Sequence, residues 1–252
     1  MNKCKPKNSV MIFLIVFGVC GLLFTGFAWA DVDNRIYAEL LQRYVKDGIV
    51  DYRGFKSDEA QLDRYLEILA QVDPQALPSD ERFAFYVNAY NAWTIKLILS
   101  RYPNLQSIKD LGSFLKSPWK KKLARIAGKT LTLDNIEHDI LRPQFKDPRV
   151  HFAVNCASIG CPPLLGEPYT GERLNRQLES VAKAFINDPQ YNRLDDNVLY
   201  VSKIFKWFAD DFDKDVVGFF KRYADEPMKT QLERHATIKL EYLDYDWSLN
   251  GH

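Results

Sequence analysis

The stretch LPSDERFAFYVNAYNAWTIKLILSRYP, residues 77–103, limits the possible folds of this chain more than any other. Ser79 is a natural N-cap, Asp80 and Glu81 suit the positive end of a helix dipole, and Pro103 ends the run. From Phe83 to Leu99 almost every face is apolar, the pattern of a helix surrounded by protein. A helix over 79–100 must therefore sit inside the molecule, wrapped by the other elements. Asn88 and Asn91 are three residues apart and so share one face of it. Burying an amide without partners costs roughly 1–3 kcal/mol, so something polar must lie opposite that face. Two readings are open: the amides tie loop backbone to the core, or one of them orients an imidazole or binds an oxyanion.

The remaining elements are shorter. Residues 35–46 and 58–71 read as amphipathic helices separated by VDYRGF, an extended piece at 50–55. KKLARIAGKTLTL reads as a hairpin turning at Ala127 and Gly128, and DNIEHDILR as a helix with capping-box-like spacing of Asp134 and Glu137. RVHFAVN, residues 149–155, reads as a strand. After the Pro162, Pro163 turn come a helix over GERLNRQLESVAKAFIN, a short strand NVLYV, a helix SKIFKWFADDF capped by Ser202, and a strand in ATIKLEYLDYDWSLN. Several helices with a small, mostly antiparallel sheet make this a single α+β domain.

The N-terminus indicates a compartment. MNKCKPK carries three lysines, SVMIFLIVFGVCGLLF is an uninterrupted apolar run, and Ala28, Trp29 and Ala30 offer an A-x-A cleavage site. Residues 1–30 are thus expected to be a signal peptide and the mature domain to span 31–252, periplasmic or extracellular; a retained membrane anchor is the rival reading. Without the three leader lysines, 31 basic residues face 33 acidic ones, a net charge of −2. That balance gives no electrostatic footprint for nucleic acid. Lys120, Lys121 and Lys122 suit a solvated hairpin edge, and no cofactor motif is visible.

Five ordered motifs, FYVNAYNAWTIKLIL, LDNIEHDILR, HFAVNCASIGCPPL, VSKIFKWFADDF and IKLEYLDYDWSLN, resemble the domain of unknown function 547 family. The resemblance runs from about Val50 to Asn250. It implies a fold similar to that of a remote papain- or transglutaminase-like thiol hydrolase.

Cys156 and Cys161 are the only thiols beyond the leader. A thiol nucleophile at Cys156 needs a base. In a strand, five residues at ~3.3 Å each place Cys156 about 16 Å from His151, on whose polar face Asn155 also lies. His138, on a separate helix, is free of that restriction and is the first choice; His151 is the second. The expected mechanism has His138 accept the Cys156 proton, the thiolate attack an acyl carbon of a peptide or cell-envelope amide, and Asn88, Asn91 or Glu137 orient or stabilise. Glu137 has a plainer alternative as part of a helix cap. Two rivals use the same atoms. A Cys156–Cys161 disulfide is allowed by the spacing and the intervening turn, which would make this a non-catalytic binding or scaffold domain, or carry reversible redox work. A Cys2His2 zinc set of Cys156, Cys161, His138 and His151 has acceptable chemistry but no recognised ligand spacing, so no metal is assigned. The aromatic clusters read first as core and second as a groove. Asp210 and Asp211 read as an exposed helix face, Asp244 and Asp246 as solvent-facing acids.

Overall fold

A computed structural model describes Met1 and residues 32–113 and 116–252. Met1 apart, the expected leader and its cleavage site lie outside the described residues. The central helix is α4, Ser79–Leu99, buried at every position from Phe83 to Ile95. Pro78 rather than the Ser79 side chain stands at its N-cap. Ahead of it come α1 (Arg35–Tyr44), a two-residue hairpin of β1 (Val45–Lys46) and β2 (Ile49–Val50), α2 (Tyr52–Ser57) and α3 (Glu59–Gln71). Helices α2 and α3 both pack on α4, satisfying the demand its all-round apolar surface makes.

The chain continues through the hairpin β3 (Ala124–Ile126) and β4 (Lys129–Leu131), which turns at Ala127 and Gly128, both at positive φ. A π-helix, Asn135–Leu141, runs into α5 (Arg142–Phe145), and α6 (Val150–Ala153) follows. Next are α7 (Leu174–Asn187), β5 (Arg193–Asp195), β6 (Val198–Val201), α8 (Ile204–Trp207), α9 (Val216–Tyr223), α10 (Met228–Arg234) and β7 (Lys239–Tyr242). β5 pairs antiparallel with β6, and β6 pairs parallel with β7. The architecture is α+β. Among the described residues no helix is long and apolar enough to cross a membrane.

Two apolar cores result. The larger gathers α1–α4 with Val150, Ala153 and Val154. The smaller is rich in phenylalanine and joins α7, β6, α8 and α9 through Phe152, Phe185, Phe205, Phe212, Phe219 and Phe220.

Four expectations need correction. Residues 149–155 are not a strand: Val150 N, His151 N and Phe152 N donate to the carbonyls of Asp147, Pro148 and Arg149, winding the segment into a turn of helix. The apolar alternation arises because Phe152 enters the smaller core while Val150 and Ala153 enter the larger. Of the extended piece expected at 50–55 only Val50 lies in a strand; Tyr52 onward is α2, started by Asp51, whose carboxylate accepts from Gly54 N at 2.8 Å. SKIFKWFADDF breaks at Phe208 into α8 and a 3-10 turn, Ala209–Phe212. Asp134 makes no cap hydrogen bond; Thr132 and Asn135 take that role, with Asn135 N donating to Thr132 Oγ1 and Thr132 N to Asn135 Oδ1.

Candidate active site

Where the larger core, the π-helix and the C-terminal segment meet, a cavity of about 230 Å³ opens. Cys156, Cys161, Glu137, His138 and His151 line it; Asn88 and Asn91 do not. Its walls include the aromatic side chains Tyr90, Trp119, Trp207, Phe208, Tyr245 and Trp247. Trp207, Tyr245 and Trp247 are mutually packed, Trp207 to Tyr245 at 4.8 Å, Tyr245 to Trp247 at 4.5 Å and Trp207 to Trp247 at 5.8 Å between centroids.

The two asparagines of α4 are braces. Asn88 Nδ2 donates to Tyr169 O at 2.8 Å and Asn88 Oδ1 accepts from Tyr169 N at 2.9 Å. Asn91 does the same across two residues, donating to Ala153 O at 2.9 Å and accepting from Asn155 N at 2.8 Å. Asn155, also buried, continues the chain of amides: its Nδ2 donates to Pro162 O at 2.8 Å and its Oδ1 accepts from Ala157 N at 2.9 Å. Asn250 Nδ2 donates to the same Oδ1 at 3.1 Å. Through Asn155 the loop carrying both cysteines is thus tied to the central helix and the C-terminus, and its two ends are tied to each other.

Three groups approach the Cys156 sulfur: Cys161 Sγ at 2.6 Å, Ser158 Oγ at 3.0 Å and Tyr245 OH at 3.1 Å. All carry a hydrogen to donate, so together they form a nest for a thiolate. Burial pushes the Cys156 thiol up, and the charge of Glu137 adds to that. The hydrogen bonds from Cys161, Ser158 and Tyr245 outweigh both and leave it below its ordinary value. Cys161 goes the other way, held well above by burial and by its neighbour. Burial and the two cysteines also raise Tyr245 far above the ordinary phenol, so it stays a hydroxyl. Both cysteines are free thiols in this structure, and no disulfide joins them. Nor do the described residues hold any group of three or more His, Cys, Asp or Glu side chains fit for a metal.

The histidines are fixed through one network. Asp211 Oδ2 accepts from His151 Nε2 at 2.7 Å and from Arg142 Nε at 2.6 Å, while Arg142 Nη2 donates to Asp211 Oδ1 at 3.1 Å. Arg142 Nη1 also donates to His138 Nδ1 at 3.0 Å. Phe208 stacks on His151 at 4.0 Å and lies 4.9 Å from the Arg142 guanidinium carbon. These contacts decide tautomers. A carboxylate only accepts, so His151 carries its hydrogen on Nε2 and keeps a lone pair on Nδ1. A guanidinium only donates, so the lone pair of a neutral His138 is engaged by Arg142. His151 is buried, its side chain 1% exposed, against 36% for His138. The hydrogen bond from His151, then those from Arg142, hold Asp211 well below the usual carboxylate range in spite of partial burial.

Sequence reasoning placed Asp211 on an exposed face; instead it anchors the histidine network. The available signal was the spacing of Phe208, Asp211 and Phe212, which share one face and demand a partner for the acid. Glu137 is buried and acts on the Tyr90 hydroxyl rather than completing a cap. Ser158 and Tyr245 were also missed. Asp244 and Asp246 are exposed as expected, the first paired with Lys203.

The family model described as "Protein of unknown function, DUF547" matches residues 74–186. That span holds Asn88, Asn91, Glu137, His138, His151 and both cysteines; Trp207, Asp211 and Tyr245 follow it. No curated protein and no solved structure matches, and the papain- or transglutaminase-like part of the expectation finds no support among these comparisons.

Proposed function

For this chain, whose residues 74–186 belong to the DUF547 family, we propose an exported thiol-dependent acyl hydrolase or transferase, with Cys156 as nucleophile and His151 as base. The observation that carries the reading is the nest of three donors around the Cys156 sulfur on the wall of a cavity that His151 also lines. Export rests on the lysine-bearing apolar leader and its A-x-A site.

In this reading the Cys156 proton passes to His151 Nδ1, the thiolate attacks the acyl carbon and the carbonyl π electrons move to oxygen. As the tetrahedral species collapses, the bond to the leaving amine breaks and imidazolium at His151 supplies its proton. Water or a second amine then gives a proton to His151 Nδ1 and attacks the thioester, releasing Cys156. Asp211, bonded to Nε2, holds the tautomer that makes Nδ1 the basic nitrogen and stabilises the imidazolium. Here His151 replaces His138 as first choice, because the one lone pair of neutral His138 is engaged by Arg142. A volume of about 230 Å³ between aromatic walls suits one residue-sized acyl group rather than a whole polymer unit.

The test is hydrolysis or aminolysis of a panel of small acyl thioesters and peptide amides by reduced protein, with Cys156→Ala as control. Turnover should fall by more than about a thousandfold in the variant; equal turnover removes the thiol from the mechanism. A second reading, a non-catalytic binding domain closed by a Cys156–Cys161 disulfide, draws on the 2.6 Å separation of the sulfurs. The proteins differ in redox state: the enzyme needs a free thiol at Cys156, the binding domain a permanent bond.

A further inference from the structure

In the acyl reading Cys161 only donates to the Cys156 sulfur and takes no covalent part, yet its sulfur makes the shortest of the contacts to that sulfur. We propose that Cys161 is a resolving thiol, which gives this site a second chemistry: reduction of a hydroperoxide, with closure of a Cys156–Cys161 disulfide. The proposal rests on the reading of Cys156 as an activated nucleophile, and on nothing else in the acyl mechanism.

The loop holds the two sulfurs facing each other through its backbone. Ala157 sits in the left-handed region at φ 62°, and Cys161 N donates to Ser158 O at 3.0 Å, so the chain reverses between the cysteines. The C-terminal segment clamps that reversal from outside. Ile159 N donates to Ser248 O at 2.9 Å, Gly160 N to Asp246 O at 2.8 Å, and Asn250 N to Ala157 O at 3.2 Å. Gly160 permits the close approach, since a Cβ there would lie 3.0 Å from backbone atoms of Asp246 and from the Tyr245 ring. A reversal already tied in this way needs no disulfide to hold its shape. The backbone N–H of Cys156 donates to Cys161 Sγ at 2.8 Å, which fixes the second sulfur beside the first.

The chemistry balances in two steps. The Cys156 thiolate attacks the distal oxygen of the hydroperoxide; the O–O bond breaks, the sulfur is oxidised to sulfenic acid, and the peroxide leaves as an alcohol or, for hydrogen peroxide, as water after taking up a proton. Cys161 then attacks the sulfenic sulfur, the S–O bond breaks, and water departs with the Cys161 proton, leaving the disulfide. An external dithiol returns both sulfurs to thiols by exchange. Because the resolving sulfur is held in place, closure outruns a second oxidation of Cys156 to sulfinic acid.

The experiment treats the full reduced protein with hydrogen peroxide, quenches by alkylation, and follows intact and peptide masses together with thioester turnover. The expected product lacks two hydrogens, links Cys156 to Cys161, and is reversed by dithiothreitol under native conditions. In Cys161→Ser, or Cys161→Ala if the serine variant fails to fold, Cys156 should gain two oxygens at least about tenfold faster than in the parent and resist dithiothreitol. Equal overoxidation in parent and variant overturns the proposal. So does a disulfide present from the start that native dithiothreitol leaves intact. A reversible disulfide in a protein without acyl turnover keeps this inference and removes the acyl reading; acyl turnover with unresolved overoxidation does the reverse.

Discussion

The buried polar face of α4 and the polar wall of the cavity both set polar side chains into the protein, Asn88 and Asn91 on the first and His151 and Cys156 on the second, and they do opposite things. Asn88 and Asn91 each give both a donor and an acceptor to main-chain groups, so both ends of each amide are spent on backbone. On the cavity wall, His151 keeps a lone pair at Nδ1 and Cys156 gathers donors about a sulfur that can carry charge. Burial alone therefore does not mark a functional polar group. Unused valence, after the backbone has been served, does.

That contrast can be broken by substitution. The largest effect belongs to the histidines: His151→Ala should lower acyl turnover about 10²–10⁴-fold while His138→Ala changes it less than about tenfold. Steady-state rates on one thioester decide it, and the opposite ranking returns the base to His138. Next, Asn91→Ala should remove about 2–4 kcal/mol of stability, read as a lower urea midpoint, because the Ala153 carbonyl and the Asn155 N–H lose their partner together. A stable variant with lost turnover would instead make Asn91 part of the chemistry.

A smaller effect concerns acid. Asp211 is held below its ordinary value in the folded protein, so its hydrogen bonds stabilise the fold at neutral pH. That contribution, on the order of 1 kcal/mol after solvent screening, begins to fall as pH drops below about 4 and goes as pH passes through the folded value. Asp211→Asn should lack it at pH 7 and show a flatter acid limb in thermal melts; an unchanged limb denies the pairing. The smallest shift should come from Trp207→Ala. Removing one wall of the cavity is expected to raise KM about threefold to tenfold with kcat little altered.

Much of the scaffold was legible in the sequence. An apolar surface on all sides over 83–99 requires a central helix, and Ala127, Gly128 between alternating segments requires a hairpin. What misled was RVHFAVN, where alternation came from two cores on either side of one helical turn, not from two faces of a sheet. Asp147 followed by Pro148 was the local sign of a helix start that the alternation concealed. Of the site, the thiols and histidines were visible as residue types. The partners were not, because Asp211 reaches His151 from 60 residues away in sequence and Tyr245 reaches Cys156 from 89. Distances of that kind are set by the tertiary fold.

The central claim is that the surroundings of Cys156 favour its thiolate. The most direct test is the rate of iodoacetamide labelling at Cys156 across pH in reduced protein, with Tyr245→Phe and Ser158→Ala beside it. A labelling midpoint below the ~8.5 of an ordinary thiol, moving upward in both variants, is the predicted result; a midpoint at or above that value, indifferent to either substitution, would contradict the account.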